Sequence, residues 1–401
     1  MEISRPRIAA LFAALTVIGA LLLFQPVAAF VAYQDVDYNN HLGYLRLALN
    51  GGSLLELLSY IPHFLFFLLV AGLHSAGLSL NDAALWVAVG AYTAGTWAIF
   101  WLLCRFAGEP GTLLQGIVYF LASLAGMLVM PFNLLTPSNL YLGYVVIHAY
   151  HNPTITLLKP FALPVFWFAA KAFTPSAQDE PAGFKALWGV ALLAALSVMA
   201  KSSYALALLP ALTLPMALSL FRRRAVNWRL LAAVVLPMVA ALAAQAVLFR
   251  NTGGIVFAPL AVIHHWADRI NPQADADLPL KLAASILFPA AVYLLYRREA
   301  AQNVHLNLAW LAFVFGAAYM FLLAESGDRL GHANFTWSAQ VALFVLFAAS
   351  LAFLVRQAWL RRSPALFAAL AALALHVVSG LNWYAIHVNA VHMGDIIANL
   401  W

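Results

Sequence analysis

The chain has 401 residues, of which 64% are hydrophobic and 9% charged, and its mean hydropathy is +0.87. Soluble domains carry about 25% charged residues, so an aqueous globular fold is excluded for want of polar surface. The formal charge of +6 does not indicate a nucleic-acid partner, because the cations fall in short clusters beside apolar runs, and the single cysteine, Cys104, excludes an internal disulfide or a cysteine metal cluster.

A helix that crosses the hydrocarbon core needs roughly 20 mostly apolar residues. The first candidate, 8–32, follows Arg5 and Arg7, and its apolar part runs on to Ala32 without a small-residue cleavage site. It reads as a retained signal-anchor helix. Next comes Tyr33-Gln34-Asp35-Val36-Asp37-Tyr38-Asn39-Asn40-His41. Carboxylates at the membrane boundary, shielded by apolar neighbours, can act as a base or orient an acceptor hydroxyl; they can also simply mark the non-cytoplasmic end of a helix. The leucines of 42–58, broken by Asn50-Gly51-Gly52-Ser53, predict an amphipathic helix in the interface followed by a turn.

Three apolar runs follow, at 59–76, 84–104 and 112–130. The first is short and interrupted by Pro62 and His63, and the third is rich in Gly and Ser. A loop then ends in His148-Ala149-Tyr150-His151-Asn152-Pro153-Thr154, with Lys159 about one turn into the run 154–172. The two imidazoles suit a phosphate better than a metal, for which the stretch supplies too few ligands. A lysine at that depth must snorkel, pair or face a polar cavity. Lys201 separates the runs 186–200 and 203–221, either as a solvated turn residue or as part of an anion site.

Beyond Arg222-Arg223-Arg224 lie the run 229–249 and a loop with His264-His265-Trp266-Ala267-Asp268-Arg269. The run 280–296, the pair Arg297-Arg298 and the run 305–324 lead to the densest loop, 325–337, which holds Glu325, Arg329 and His332. Arginine grips phosphate through a planar fork of donors, and backbone amides at a helix start also favour anions. The runs 338–355 and 364–385 flank Arg356, Arg361 and Arg362, and the tail with His387, His392 and Asp395 reads as an interfacial anchor.

The Lys/Arg clusters place the N-terminus and the loops near 173–185, 222–228, 297–304 and 356–363 in the cytoplasm. Loops 33–55, 131–153, 250–279 and 325–337 and the tail from about 386 are then external. Only an even number of crossings joins two external loops, so one of the runs 59–76, 84–104 and 112–130 does not span. The expectation is one all-α polytopic membrane domain over 1–401. It has about eleven transmembrane helices, interfacial helices and external loops, with the N-terminus inside and the C-terminus outside.

Asp35-Val36-Asp37 after the first helix, the interfacial segment behind it and Pro62-His63 at the head of the next run, set in this topology, resemble the GT-C superfamily of integral membrane glycosyltransferases. The resemblance covers most of the chain by topology and rests on those few residues for its motif. It implies a polyprenyl-phosphate-linked sugar donor, a glycan or lipid-linked acceptor hydroxyl, and transfer on the periplasmic side of a bacterial inner membrane in cell-envelope glycan synthesis. It puts the catalytic role on Asp35 or Asp37. The carrier phosphate falls to Lys159, Lys201, Arg269 and Arg329, with His148, His151, His332 and Glu325 in the same binding loops. No metal or other cofactor is implied. The sequence departs from many such proteins in lacking a large soluble C-terminal domain. Two other readings share the helix count. One is a polysaccharide polymerase or ligase that uses lipid-pyrophosphate glycans through arginine- and histidine-bearing loops. The other is a multi-span transporter, which sits less well with charges gathered at one interface and the lack of an internal repeat.

Overall fold

With so few charged side chains, the backbone is the main polar group to be satisfied, and in hydrocarbon a single segment can satisfy it only as a helix. A computed structural model describes residues 5–51, 61, 63–133, 143–175, 183–249, 254–270, 277–360 and 362–389. Along the chain these form α1 (Arg5–Gln34), α2 (Val36–Leu49), α3 (Leu65–Ser75), α4 (Leu80–Ala107), α5 (Leu113–Gly126), α6 (Pro153–Lys171), α7 (Phe184–Ala200), α8 (Ser203–Phe221) and α9 (Trp228–Leu248). The order continues with β1 (Ile255–Phe257), α10 (Ala261–Ile270), α11 (Leu278–Leu295), α12 (Arg297–Ala301), α13 (Val304–Leu322) and β2 (Leu323–Glu325). A 3-10 turn (Gly327–His332), α14 (Thr336–Leu360) and α15 (Pro364–Asn389) complete it.

Among the described residues, nine helices are long and apolar enough to cross a membrane: α1, α4, α6, α8, α9, α11, α13, α14 and α15. The all-α membrane architecture is as expected, apart from the antiparallel pair β1–β2, which aligns Ile255 with Glu325 outside the bundle. Of the three ambiguous runs, 84–104 lies in the 28-residue α4. The other two yield only the 11-residue α3 and the 14-residue α5, roughly 17 and 21 Å long at 1.5 Å per residue.

α14 is the axis. From Ser338 to Val355 every residue is buried, and the helix packs on α4, α6, α8, α11, α13 and α15. A helix that is hydrophobic all round belongs in such a place.

Two expected loops are ordered differently. The acidic stretch after α1 is the start of α2, because Asp35 caps that helix; the interfacial helix therefore begins at Val36, six residues before Leu42. Residues 52–60 and Pro62 lie outside the described residues. Residues 127–133 and 143–152, expected in part as an external loop, are non-helical yet mostly buried among the helices. Their polar backbone is met by helix groups. Met130 N–H donates to the His376 carbonyl (3.0 Å), Phe132 N–H to the Ala284 carbonyl (3.2 Å), and Val145 N–H to Ser285 Oγ (3.0 Å). The His376 ring donates from Nδ1 to the Met130 carbonyl (2.6 Å) and accepts at Nε2 from Phe288 N–H (3.2 Å).

This contact needs a glycine. A Cβ on Gly380, one turn beyond His376, would lie 1.6 Å from the Leu128 carbonyl oxygen, whereas one on Gly72 in α3 would meet nothing within 4 Å. Gly380→Ala should lower the melting temperature of the detergent-solubilised protein markedly, since overpacking a fixed contact costs about 1–3 kcal/mol. Gly72→Ala should leave it unchanged or raise it, as expected for an alanine replacing an exposed helical glycine. Tryptophan-fluorescence melting of the two variants checks the pair.

Candidate functional site

The site is built on the start of α2. Asp35 is its N-cap: Oδ1 accepts from Asp37 N–H (2.7 Å) and Tyr38 N–H (3.1 Å), as short polar side chains do at orphaned helix donors. Tyr38, Leu42 and Leu45 form the buried stripe of α2, with Tyr38 edge-on to Phe66 of α3. Asp35 is 1% exposed. Burial pushes its carboxyl up to about 7 against the two backbone bonds, with the charge of Asp37 adding to the rise. Asp35 therefore holds the helix start and faces no open space.

Asp37, in the first turn, has the opposite setting: 37% of its side chain remains accessible. Burial still raises its carboxyl to about 6, with Lys201 and Asn152 pulling the other way. Asp37 is thus partly desolvated by its neighbours while still reachable from outside. Asn152 Nδ2 donates to Asp37 Oδ2 (3.3 Å), and His41 Nε2, one turn along α2, stands 3.9 Å from Oδ1.

Asn152 holds its pose because it caps α6. Its Oδ1 accepts from Ile155 N–H (3.0 Å) and from Thr154 Oγ1 (2.9 Å), and Pro153 occupies the first helical position, where a missing N–H costs nothing. Thr154 Oγ1 accepts in turn from Lys201 Nζ (3.0 Å). Lys201 sits in extended backbone between α7 and α8, 4% exposed, with Nζ 5.0 Å from the centre of the Trp337 ring at the head of α14. Burial lowers its ammonium to about 8, opposed by Asp37.

A carboxylate and an ammonium are thus held on either side of an amide–hydroxyl bridge, without a direct ion pair. Imidazoles line the surroundings. Burial and then Lys201 bring His41 down to about 4. Burial, His387 and Lys201 do the same for His151, which stands 6.0 Å from Trp337. His63 is held well below its ordinary value, first by burial and then by Lys201 and His41. These rings are neutral at physiological pH, so among the described residues Lys201 is the cation grouped with Asp37. Such an arrangement can take a proton from a hydroxyl at one end and carry an anion at the other.

The other sequence candidates lie elsewhere. Lys159 is 1% and His148 0% exposed. Lys159 Nζ is 2.6 Å from His148 Nδ1 and 5.2 Å from the Phe344 ring centre. His148 Nε2 donates to the Gly126 carbonyl (3.3 Å), and its own carbonyl accepts from Trp383 Nε1 (3.2 Å). The lysine pairs inside the protein and ties the broken segment to α14 and α15. Arg329 Nε donates to Glu325 Oε1 (3.1 Å), Asn334 Nδ2 to Oε2 (2.6 Å), and the Arg329 guanidinium stacks 5.6 Å from the Phe249 ring centre. Its charge is already matched. His332 is exposed at the end of the 3-10 turn. Arg269 falls near the end of α10 with its side chain outside the described residues; His392 and Asp395 lie outside them altogether.

Of the sequence candidates, Asp35, Asp37, His151 and Lys201 come together, while His41, His63, Asn152, Thr154 and Trp337, to which the sequence assigned no site role, join them. Asn152 had a readable signal, since Asn-Pro before an apolar run marks a capped helix start. Trp337 had none, because its partner lies 136 residues earlier in the chain. No family model matches the chain, and neither a curated protein nor a solved structure matches it.

The cap role of Asp35 sets a pH dependence. Its folded value, near 7, is raised above the ordinary unfolded one of about 3.9, so its contribution to stability is full below about pH 4, declines as the pH rises to 7, and is flat beyond. Asp35→Asn keeps the capping oxygen and removes the charge. Its melting temperature should gain on wild type from pH 4 to 7 and hold that lead above. At pH 4, Asp35→Ala should fall below Asp35→Asn by about 1 kcal/mol. Melting curves across pH test both.

Proposed function

We propose that this chain is a membrane glycosyltransferase that moves a sugar from a polyprenyl-phosphate carrier to an acceptor hydroxyl on a glycan or lipid-linked molecule, in cell-envelope glycan synthesis. The observation that carries this reading is the accessible Asp37 carboxylate, bonded to Asn152 and facing Lys201 across Thr154. On the chemistry proposed, Asp37 takes the acceptor hydroxyl proton as that oxygen bonds to the anomeric carbon. The bond from that carbon to the carrier phosphate oxygen breaks, and the phosphate leaves with the electron pair beside the Lys201 ammonium. The exposed Leu47 (72%) and Tyr44 (49%) of α2 suit contact with a lipid carrier entering from the bilayer. Lys159 and His148 support the frame in this scheme and do not touch substrate.

The topology that accompanies this reading counts α7 and one of α3 and α5 with the nine long helices, making eleven crossings. The arginine clusters then lie in the cytoplasm and the Asp37 cleft on the periplasmic side of a bacterial inner membrane.

Asp37→Asn should lower transfer from a polyprenyl-phosphate sugar by at least about 100-fold, the usual scale for loss of a general base, and Lys201→Met should also lower it strongly; Asp35→Asn should retain most of it. The wild-type rate should rise with pH through about 6, as Asp37 ionises, and fall above about 8, as Lys201 loses its proton. Transfer by the purified protein in detergent, with product followed by mass spectrometry, checks this. Full activity in Asp37→Asn overturns the assignment. If Arg329→Gln abolishes activity while Asp37→Asn is tolerated, a polymerase or ligase is favoured; solute counterflow in proteoliposomes without a covalent product makes the chain a transporter.

A further inference from the structure

α8 starts two residues after Lys201 and ends at Phe221, roughly 28 Å away at 1.5 Å per residue, about the thickness of the hydrocarbon core. At that far end, α8, α11 and α13 enclose a groove of about 710 Å³. Its wall is apolar, with Leu214, Leu218, Leu294, Leu311 and Val314. Two of the polar groups there are paired, with Tyr293 Oη donating to Asn307 Oδ1 (3.0 Å) and Asn307 Nδ2 donating to the Ala301 carbonyl (2.9 Å), while the indole Nε1 of Trp310 has no hydrogen-bond partner among the described residues.

Two arginines stand at the mouth. Arg222 ends α8, and Arg224 N–H returns to the Ser219 carbonyl (2.8 Å), closing the helix in the manner usually served by a left-handed glycine. Here that position is Arg223, at φ 49°. The turn places both Arg222 and Arg224 on the groove, exposed and without a salt bridge among the described residues. Among the described residues no acidic side chain lines it. An apolar trough within a membrane bundle, with two unmatched guanidiniums at its rim, fits an amphiphile with an anionic head.

We propose that this groove binds one anionic glycerophospholipid from the leaflet on the arginine-rich face, its headgroup phosphate held by Arg222 and Arg224 and an acyl chain lying between α8 and α13. A free phosphate would leave the trough unfilled, and a zwitterionic lipid would set an ammonium beside two cations. The groove shares no residue with the Asp37 cleft.

Native mass spectrometry of the full chain in detergent, titrated with palmitoyl-oleoyl phosphatidylglycerol or phosphatidylcholine, tests the proposal. The expected result is one tightly retained phosphatidylglycerol, preferred on the order of thirtyfold, as about 1 kcal/mol from each of two basic side chains near a charged headgroup implies. Arg222→Gln/Arg224→Gln should abolish the preference, and Leu311→Trp, which fills the trough, should weaken retention of both lipids. Arg297→Gln/Arg356→Gln removes the same charge outside the groove and should change nothing. Melting curves confirm that each variant is folded. The proposal fails if the two arginine pairs behave alike, if the groove pair keeps the preference, if Leu311→Trp retains lipid as wild type does, or if millimolar inorganic phosphate displaces the lipid.

Discussion

An unpaired peptide group in hydrocarbon costs several kcal/mol, yet this chain leaves helical order inside its own bundle at 127–133 and again at 143–152. It can do so because neighbouring helices supply the missing partners. His376, at the middle of α15, uses both ring nitrogens and its backbone carbonyl on Met130 and Phe288, and Ser285 of α11 accepts from Val145 while donating to the Lys281 carbonyl. The second of these broken stretches delivers Asn152 and Thr154 to the head of α6. The cleft therefore depends on a hydrogen-bonding problem solved below it.

The same constraint separates two kinds of buried cation. Lys159 is enclosed with His148 under Trp383 and Phe344 and serves the interior. Lys201, at a helix junction, has Asp37 across the Asn152–Thr154 bridge and an aromatic wall beside it. Burial keeps the surrounding imidazoles neutral, so among the described residues one positive charge, that of Lys201, faces the carboxylate. The difference between structural and chemical lysine lies in what opens around each nitrogen, which hydropathy does not record.

Membrane residence, the long helices and the acidic doublet were legible because they are local: runs of apolar residues and a polar segment at a run's end. That Asp35 caps and Asp37 faces the cleft was not, since the two differ only in where α2 begins, one residue deciding which carboxylate is spent on backbone donors. Lys159 looked functional because an intramembrane lysine is costly; its partner, eleven residues earlier, meets it only after the chain folds back. Arg329 in a charged loop suggested an anion site, but Glu325, at the end of β2 four residues before it, already supplies the anion. Trp337 and Gly380 matter through residues distant in sequence, and no periodicity announces such pairs.

α14 enters late in the chain and ends in the centre of the fold. Its apolar surface lets it insert as any lipid-facing helix would, yet every residue from Ser338 to Val355 is finally covered by helices most of which were made before it. The centre of the bundle is therefore completed by a helix supplied near the end of the chain, and that same helix carries Trp337 to within 5.0 Å of Lys201 Nζ.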